Sequence, residues 1–318
     1  MREIEIEWHP LGITVTARLF ETPNRNLGDL LWGALPYNAL QNHALVSGHH
    51  LYHLVPLVDL IHTPAEQKVD RTLSPDGTLF LSQLQHLAIK YGPLSEYIPA
   101  APVGCVIPEH LPRLREAGRA CWNATVGSKE VVEVRVRCSG EEAPDYRLPW
   151  PDIALPAEVD ALVARIRRET EAIWIAPPTE IVRLHAGDIA SRAGSYDQYF
   201  STLVFLNGET RPLGYCALNG LVRLCTNDNI SLATLCEMTP AFIRTPAEFL
   251  GYVGLETLWQ FTQETLRLLP ALESKAQYLA SIGALALYAN VLNTWNLQYF
   301  PWRHGVDYPA AEPRAVRA

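Results

Sequence analysis

Alternation of polar and apolar residues dominates the first 138 positions of the chain. Residues 3–8, 13–19 and 131–138 alternate with a period of two, which is typical of a strand with one buried face. Shorter runs between Gly and Pro residues predict further strands at 43–47, 51–55, 78–81, 103–107 and 120–126. Two short helices are predicted among them, at 27–34 after Asn26 as N-cap and at 111–117 before Gly118. This arrangement predicts a compact barrel or sandwich.

The pattern changes after a stretch rich in Pro, Gly and Glu. Residues 139–156 predict an extended linker, so we expect one domain over 1–140 and a second over 157–305. Helical periodicity follows, and it predicts helices at 157–173, 178–193, 196–206, 216–224, 245–269 and 271–299. Thr245, Pro246 and Glu248 form a strong helix start. The predicted fold class is therefore α+β, with an N-terminal β-barrel followed by an all-α helical bundle.

The last predicted helix is apolar on nearly every side. This pattern is compatible with the centre of a bundle or with the seam of a homodimer. Its most apolar stretch, 279–292, is interrupted by Ser281 and Asn290 and is shorter than the roughly 18 residues of a membrane span. We therefore expect no membrane-spanning segment.

Charge and cysteine content exclude several classes of protein. The formal net charge is −8 with 26 Lys and Arg, which opposes nucleic-acid binding. The alternating residues 1–7 lack the apolar core of a signal peptide, so we expect a cytoplasmic protein with free thiols. The six cysteines form no C-x-x-C pair and match no zinc pattern. Small-molecule substrates are the expected partners.

Histidine is concentrated in one part of the barrel region. Six of the ten histidines lie between positions 43 and 86: His43, His49, His50, His53, His62 and His86. If residues 51–55 extend backwards as a strand, His50 and Tyr52 share one face and His49 and His53 the other. Histidine can act as acid, base or ligand, but a hydrogen-bonded structural role is the alternative for each. No H-x-x-x-H pair with a nearby Glu lies on a predicted helix, so we expect no metal site, with a divalent ion left open as a cofactor.

A second polar segment, residues 90–99, is predicted to be a loop around Gly92 and Pro93. Glu96 in this loop is a candidate general base, and a solvated surface carboxylate is the alternative. Nucleotide-binding motifs and the G-x-S-x-G elbow are absent, which argues against nucleotide cofactors and α/β-hydrolase chemistry.

Several motifs suggest a family. A strand ending in Ala17-Arg18-Leu19, a helix followed by Leu35-Pro36, and the segments 43–48, 91–96 and 103–106 resemble bacterial cyclophilin-like small-barrel proteins over residues 1–138. With a helical bundle behind such a barrel, the chain is similar to cucumopine/mikimopine synthases. That resemblance implies an enzyme that condenses L-histidine with 2-oxoglutarate by a Pictet–Spengler reaction and needs no redox cofactor. The Phe-x-x-x-Phe-His-Arg segment of prolyl isomerases is missing, so isomerase activity is not expected.

This chemistry needs acid and base groups and a cation for the carboxylates. We predict Glu96 as base, His50 and Tyr52 as proton-transfer groups, and His49 as a further catalytic residue. The predicted anion partner is Arg18, chosen from the nearby cations Arg18, Arg25, Arg71 and Lys90. The other predicted substrate-binding residues are Trp32, Tyr37, His43 and Tyr91. The alternatives are another small-molecule hydrolase or lyase on the same scaffold, and a non-catalytic module that binds a small acid.

Overall fold

The computed structural model describes residues 2–141, 146–189 and 198–300. The chain divides into two compact units, residues 1–150 and 151–318, and each is described by itself. Residues 146–156 contain neither helix nor strand. Within the described residues, no helix has both the length and the apolar character needed to cross a bilayer.

Over its described residues, the first unit contains ten strands and three α-helices. The strands are β1 (Glu3–Trp8), β2 (Ile13–Leu19), β3 (Tyr37–Leu40), β4 (Asn42–His43), β5 (Gly48–Leu54), β6 (Val69–Asp70), β7 (Thr78–Ser82), β8 (His86–Leu94), β9 (Pro99–Val106) and β10 (Glu133–Cys138). The helices are α1 (Arg25–Gly33), α2 (Asp59–His62) and α3 (Leu111–Trp122), and a π-helical turn, Asn123–Ser128, continues α3.

The strands form an antiparallel sheet that curls on itself. Their order is β3-β10-β1-β2-β9-β7-β8-β5-β4, and β6 pairs with β9 outside this path. The two end strands, β3 and β4, are separated along the chain by Gln41 alone, so the ends of the sheet meet and the barrel nearly closes. The Gln41 backbone N–H donates to the Val132 carbonyl, and its side-chain Nε2 donates to the Tyr52 carbonyl across the seam. The predicted barrel is confirmed.

Alternation decides which side chains fill the barrel. In β1, Ile4, Ile6 and Trp8 are fully buried, while the three glutamates that alternate with them, Glu3, Glu5 and Glu7, face outward. Two of these, Glu5 and Glu7, pair with Arg137 at 2.9 and 2.6 Å across the strands. The period of two thus places an apolar surface inside and an ion-paired surface outside.

The second unit is a helical bundle, as predicted. Its helices are α4 (Ala157–Ala172), α5 (Thr179–His185), α6 (Gln198–Arg211), α7 (Asn219–Cys225), α8 (Leu232–Val253), α9 (Glu256–Leu268) and α10 (Lys275–Tyr299). Helix α10 is buried on all sides along most of its length and packs against α4, α6 and α7. Ser274 caps it by accepting a hydrogen bond from the Gln277 N–H. Helix α10 therefore lies in the internal core of the bundle and does not form an exposed seam.

Four sequence-based assignments are wrong. The predicted strand at 120–126 is helical, and Lys90–Leu94 belongs to strand β8 rather than to a loop. The predicted strand at 43–47 is reduced to β4, which ends at His43, and α8 begins at Leu232 rather than at Thr245. The ends of two predicted helices, residues 190–193 and 196–197, lie outside the described residues.

Gly118 explains why residues 120–126 were predicted as a separate strand rather than as a continuation of the helix before them. It lies inside α3, and a Cβ at this position would come within 2.5 Å of the Tyr91 ring. Glycine is therefore required because the ring of Tyr91 packs directly against the helix backbone. The same residue type often ends a helix, and the sequence alone does not distinguish the two uses.

Candidate active site

One face of β5 and β8 carries two of the polar side chains that the sequence singled out, His50 and Tyr52. The antiparallel register pairs His50 with Lys90 and Tyr52 with Ala88, and directly paired residues share a face. The ring centroid of Tyr52 lies 6.3 Å from that of His50 and 4.8 Å from that of His86. Three titratable rings therefore lie side by side on one surface of the barrel.

Glu96 follows β8 and is held by two side chains. Its Oε2 accepts hydrogen bonds from Arg71 Nη2 at 2.9 Å and from Ser47 Oγ at 2.8 Å. Arg71 Nε also donates to the Glu96 backbone carbonyl at 3.3 Å. The Arg71 side chain is only 10% exposed, whereas that of Glu96 is 35% exposed. Both side-chain bonds go to Oε2, so Oε1 of this carboxylate is available to a substrate.

A buried asparagine fixes the segment that carries Arg71. Asn24 donates from Nδ2 to the carbonyls of Gln67 and Pro102, and its Oδ1 accepts the Gln67 N–H, each at 2.9 Å. Strand β6 then pairs with β9 immediately before Arg71. These contacts tie the chain around position 70 to the sheet, which positions the guanidinium for Glu96.

His50 has an unusual environment for an imidazole. It is 7% exposed, and neither ring nitrogen has a hydrogen-bond partner among the described residues. Burial lowers the pKa of His50 to about 3, with further lowering by the charges of Arg71, His86 and His43. At neutral pH the ring is uncharged, and a neutral imidazole offers one N–H donor and one acceptor nitrogen. The proton-transfer role of His50 stays a prediction.

A second group of rings surrounds Tyr91. His43 Nδ1 lies 2.7 Å from the Ala44 carbonyl, which can only accept, so Nδ1 donates and Nε2 accepts from the Tyr91 hydroxyl at 2.6 Å. Burial lowers the pKa of His43 to about 4 and raises the pKa of Tyr91 to about 12. The ring of His49 stacks on that of Tyr91 with the centroids 5.1 Å apart, and the ring centroid of Trp122 lies 4.8 Å from that of His43.

Tyr37 lies in the barrel interior. Its hydroxyl is 3.0 Å from His53 Nε2, and His53 Nδ1 faces Gln41 Oε1 at 3.4 Å. Gln41 Oε1 also accepts from Trp8 Nε1 at 2.9 Å. These four side chains are almost fully buried. Tyr37 therefore belongs to a polar network in the barrel core and not to the face of β5 and β8 that carries His50.

Two other predicted substrate-binding residues have different partners. Arg18 is exposed on β2 and donates from Nε to Glu3 at 2.8 Å. The cation that the structure brings to the predicted base is Arg71. Trp32 lies on α1, where the guanidinium of Arg2 is 5.8 Å from its ring centre.

The residues that sequence analysis did not select are Arg71, His86 and Ser47. Arg71 was one of four cations near the motifs, and His86 was counted in the histidine-rich region. Nothing in the local pattern distinguished them, because their contacts join segments about 25 to 50 residues apart. Among the described residues, no cluster of three or more His, Cys, Asp or Glu side chains could hold a metal ion.

Comparisons with known proteins agree with this architecture. Residues 159–299 match the cucumopine synthase C-terminal helical bundle domain. The solved structure of McbB in complex with tryptophan is 63% identical, with a TM-score of 0.92 over 96% of this chain and 99% of that chain.

Shorter similarities to curated proteins are also found. Subunit PurL of phosphoribosylformylglycinamidine synthase is 30% identical over 121 residues in Bartonella quintana and 33% identical over 114 residues in Bartonella bacilliformis. These matches cover 38% and 36% of this chain but span only 15% and 14% of the PurL proteins.

Proposed function

The chain belongs to the same family as McbB, and from this membership we propose that it is a Pictet–Spengler enzyme. It condenses an amino acid that carries an electron-rich heteroaromatic ring with a carbonyl compound. The observation that carries the proposal is the Arg71–Glu96 pair beside His50, Tyr52 and His86, in a chain 63% identical to a protein solved with tryptophan.

L-Tryptophan is the first candidate for the amino acid, because McbB, which is similar to this chain over nearly the whole of both chains, was solved in complex with tryptophan. L-Histidine is the second, and it is supported by the match of 159–299 to the cucumopine synthase bundle. Imidazole and indole each offer a nucleophilic ring carbon. The carbonyl partner is a 2-oxoacid, with 2-oxoglutarate as the predicted example.

The reaction needs proton transfers but no change of oxidation state. The substrate amine attacks the carbonyl carbon, a C–N bond forms, and the carbonyl oxygen becomes a hydroxyl. That hydroxyl leaves with one proton as water, which produces an iminium ion. The ring carbon then attacks the iminium carbon, and loss of the proton from that ring carbon restores aromaticity.

Glu96 is the base in this scheme. Its Oε1 is available while Arg71 and Ser47 fix Oε2, so the carboxylate is oriented before the substrate binds. It takes a proton from the substrate ammonium and later from the ring carbon. The phenol of Tyr52, whose ring neighbours those of His50 and His86, returns a proton to the departing hydroxyl in this scheme.

Mass spectrometry of the purified protein tests this function. Each of L-tryptophan and L-histidine is incubated with 2-oxoglutarate, pyruvate or glyoxylate, and the expected product has the summed mass less one water. An open imine has the same mass, so each sample is treated with borohydride, which reduces the imine and leaves the cyclised product unchanged. The Glu96→Gln variant is the control for the uncatalysed reaction. Absence of a borohydride-resistant product from every pair rejects the proposal.

A further inference from the structure

His50 is a buried polar group whose hydrogen-bonding capacity the protein does not use. Both Nδ1 and Nε2 are inaccessible and have no partner among the described residues, although the side chain is more than nine-tenths buried. Buried polar groups are nearly always paired, because an unpaired one loses its bonds to water without replacing them. The other buried barrel histidines follow that rule, since both nitrogens of His43 and of His53 face a partner. The donor and the acceptor nitrogen of the His50 ring are therefore not used by any described residue.

The chemistry of the His50 position follows from its neighbours. A neutral imidazole offers one N–H donor and one acceptor nitrogen. Burial is the main reason why protonation of the His50 ring is disfavoured, and the positive charge of Arg71 acts in the same direction. An ammonium group would meet the same repulsion, whereas an oxygen acceptor would be attracted. Within the described residues, the guanidinium of Arg71 donates through Nε and Nη2, both to Glu96, which leaves Nη1 as a further donor.

We propose that His50 donates its ring N–H to the carbonyl oxygen of the co-substrate, beside Arg71, and so forms the binding site for the oxygen that leaves as water. This inference rests on the proposed condensation. Of the two reactants, the amino acid brings an ammonium group to the reacting atoms and the co-substrate brings an oxygen. His50 keeps the oxygen on the side of Arg71 and leaves Glu96 Oε1 for the amine.

Protein labelled with ¹⁵N-histidine tests the site directly, because ring-nitrogen resonances report hydrogen bonding. The His50 signals are assigned from the His50→Gln variant, and those of His53 in the barrel interior serve as the internal reference. Glyoxylate alone is expected to shift the His50 resonances and to leave those of His53 unchanged. L-Tryptophan alone is expected to leave both unchanged.

Glycolate distinguishes binding through the carbonyl oxygen from binding through the carboxylate. It has the carboxylate of glyoxylate but a hydroxyl in place of the carbonyl. A glycolate shift equal to that of glyoxylate overturns the assignment, and so does a shift with L-tryptophan alone. Unmoved His50 resonances at saturating glyoxylate and 2-oxoglutarate mean that only water occupies the position, which also overturns it.

Kinetics provide an independent measurement. His50→Phe removes both nitrogens at similar size and is expected to lower kcat/KM for the carbonyl substrate about tenfold or more, with KM for the amino acid within about twofold. His50→Gln restores a donor and should recover part of the loss. Equal effects on both substrates contradict the assignment. If cyclised product forms while the His50 resonances stay unmoved, this inference alone fails; shifted resonances without any product reject the condensation and leave the oxygen site standing.

Discussion

Arg71 Nη2 lies 2.9 Å from Glu96 Oε2, in a pair whose cation is nearly buried and whose carboxylate is partly exposed. The second bond, from Arg71 Nε to the Glu96 carbonyl, fixes the backbone of the loop as well as the side chain. Two bonds from one planar guanidinium restrict the orientation of the carboxylate more than a point charge would. This geometry gives the proposed base a defined direction before a substrate arrives.

Replacing Glu96 tests the base. Glu96→Gln keeps the size of the side chain and removes its ability to accept a proton. We expect the rate of cyclisation to fall by about 10²- to 10⁴-fold, the usual contribution of a positioned base. Glu109→Gln, an exposed carboxylate in the same unit, is the matched control and should keep full activity. Equal activities of the two variants in the borohydride-resistant assay would exclude Glu96 as the base.

Arg71→Lys separates charge from geometry. Lysine retains the positive charge but cannot bond both Oε2 and the backbone carbonyl of Glu96 in the same arrangement. We expect kcat/KM to fall about tenfold or more, while the charge that helps to lower the pKa of His50 persists. Arg71→Met removes that charge and should raise the His50 pKa from about 3, measured by NMR titration. Arg25→Lys is the control, because the Arg25 side chain is 72% exposed. An unchanged kcat/KM in Arg71→Lys would exclude a role for the two hydrogen bonds from Arg71 to Glu96.

The sequence predicted the barrel and the bundle because periodicity reports burial on one face. The prediction was wrong where turn or capping residues interrupt the hydrophobic periodicity. Residues 90–94 continue β8, with Ile89 and Tyr91 facing inward, although Gly92 and Pro93 suggest a turn. In α8, the stripe of Leu235, Thr239, Ile243, Ala247 and Leu250 stays buried through Pro246. Packing of a continuous apolar stripe outweighs the capping signal at Thr245.

The candidate site was predicted only in part. The shared face of His50 and Tyr52 follows from the alternation of a strand and could be derived from the sequence. The choice of Arg71 over Arg18 could not, because it depends on how the segment after β6 is tied to Asn24 and to β9. Such contacts between distant segments leave no periodic pattern in a single sequence.

Tyr37 is expected to stabilise the fold rather than to bind substrate. Tyr37→Phe removes the hydroxyl that faces His53 Nε2 and leaves a buried ring nitrogen without a partner. We expect the free energy of unfolding to fall by about 1–3 kcal/mol with kcat/KM unchanged. Tyr97→Phe, at a side chain that is 69% exposed, should change stability by less than about 0.5 kcal/mol. A Tyr37→Phe variant as stable as the unmodified protein would show that this hydrogen bond contributes nothing.

Three buried histidines should make the fold sensitive to mild acid. Burial lowers the pKa of His43 to about 4 and of His50 and His53 to about 3. In the unfolded chain each titrates near 6.5, so between about pH 4 and 6.5 the unfolded state binds more protons than the folded state. Stability must therefore fall as the pH decreases through this range, by up to about 1.4 kcal/mol per pH unit for each residue. Above about pH 7.5 these histidines are neutral in both states and contribute no slope.

Urea unfolding followed by circular dichroism from pH 5 to 8 measures this slope. The carboxylates with lowered pKa, Glu7, Asp59, Glu133 and Glu264, act in the same direction, but they titrate at lower pH and contribute little above pH 5. Burial raises the pKa of Glu180, which acts in the opposite direction, so the histidine contribution between pH 5 and 6.5 is read from the difference between the unmodified protein and a histidine variant. His53→Gln removes one of the three groups and should reduce the slope there by about one third, whatever its cost in stability at pH 8. A free energy of unfolding that stays constant between pH 7 and 5 would mean that these rings take up protons in the folded barrel.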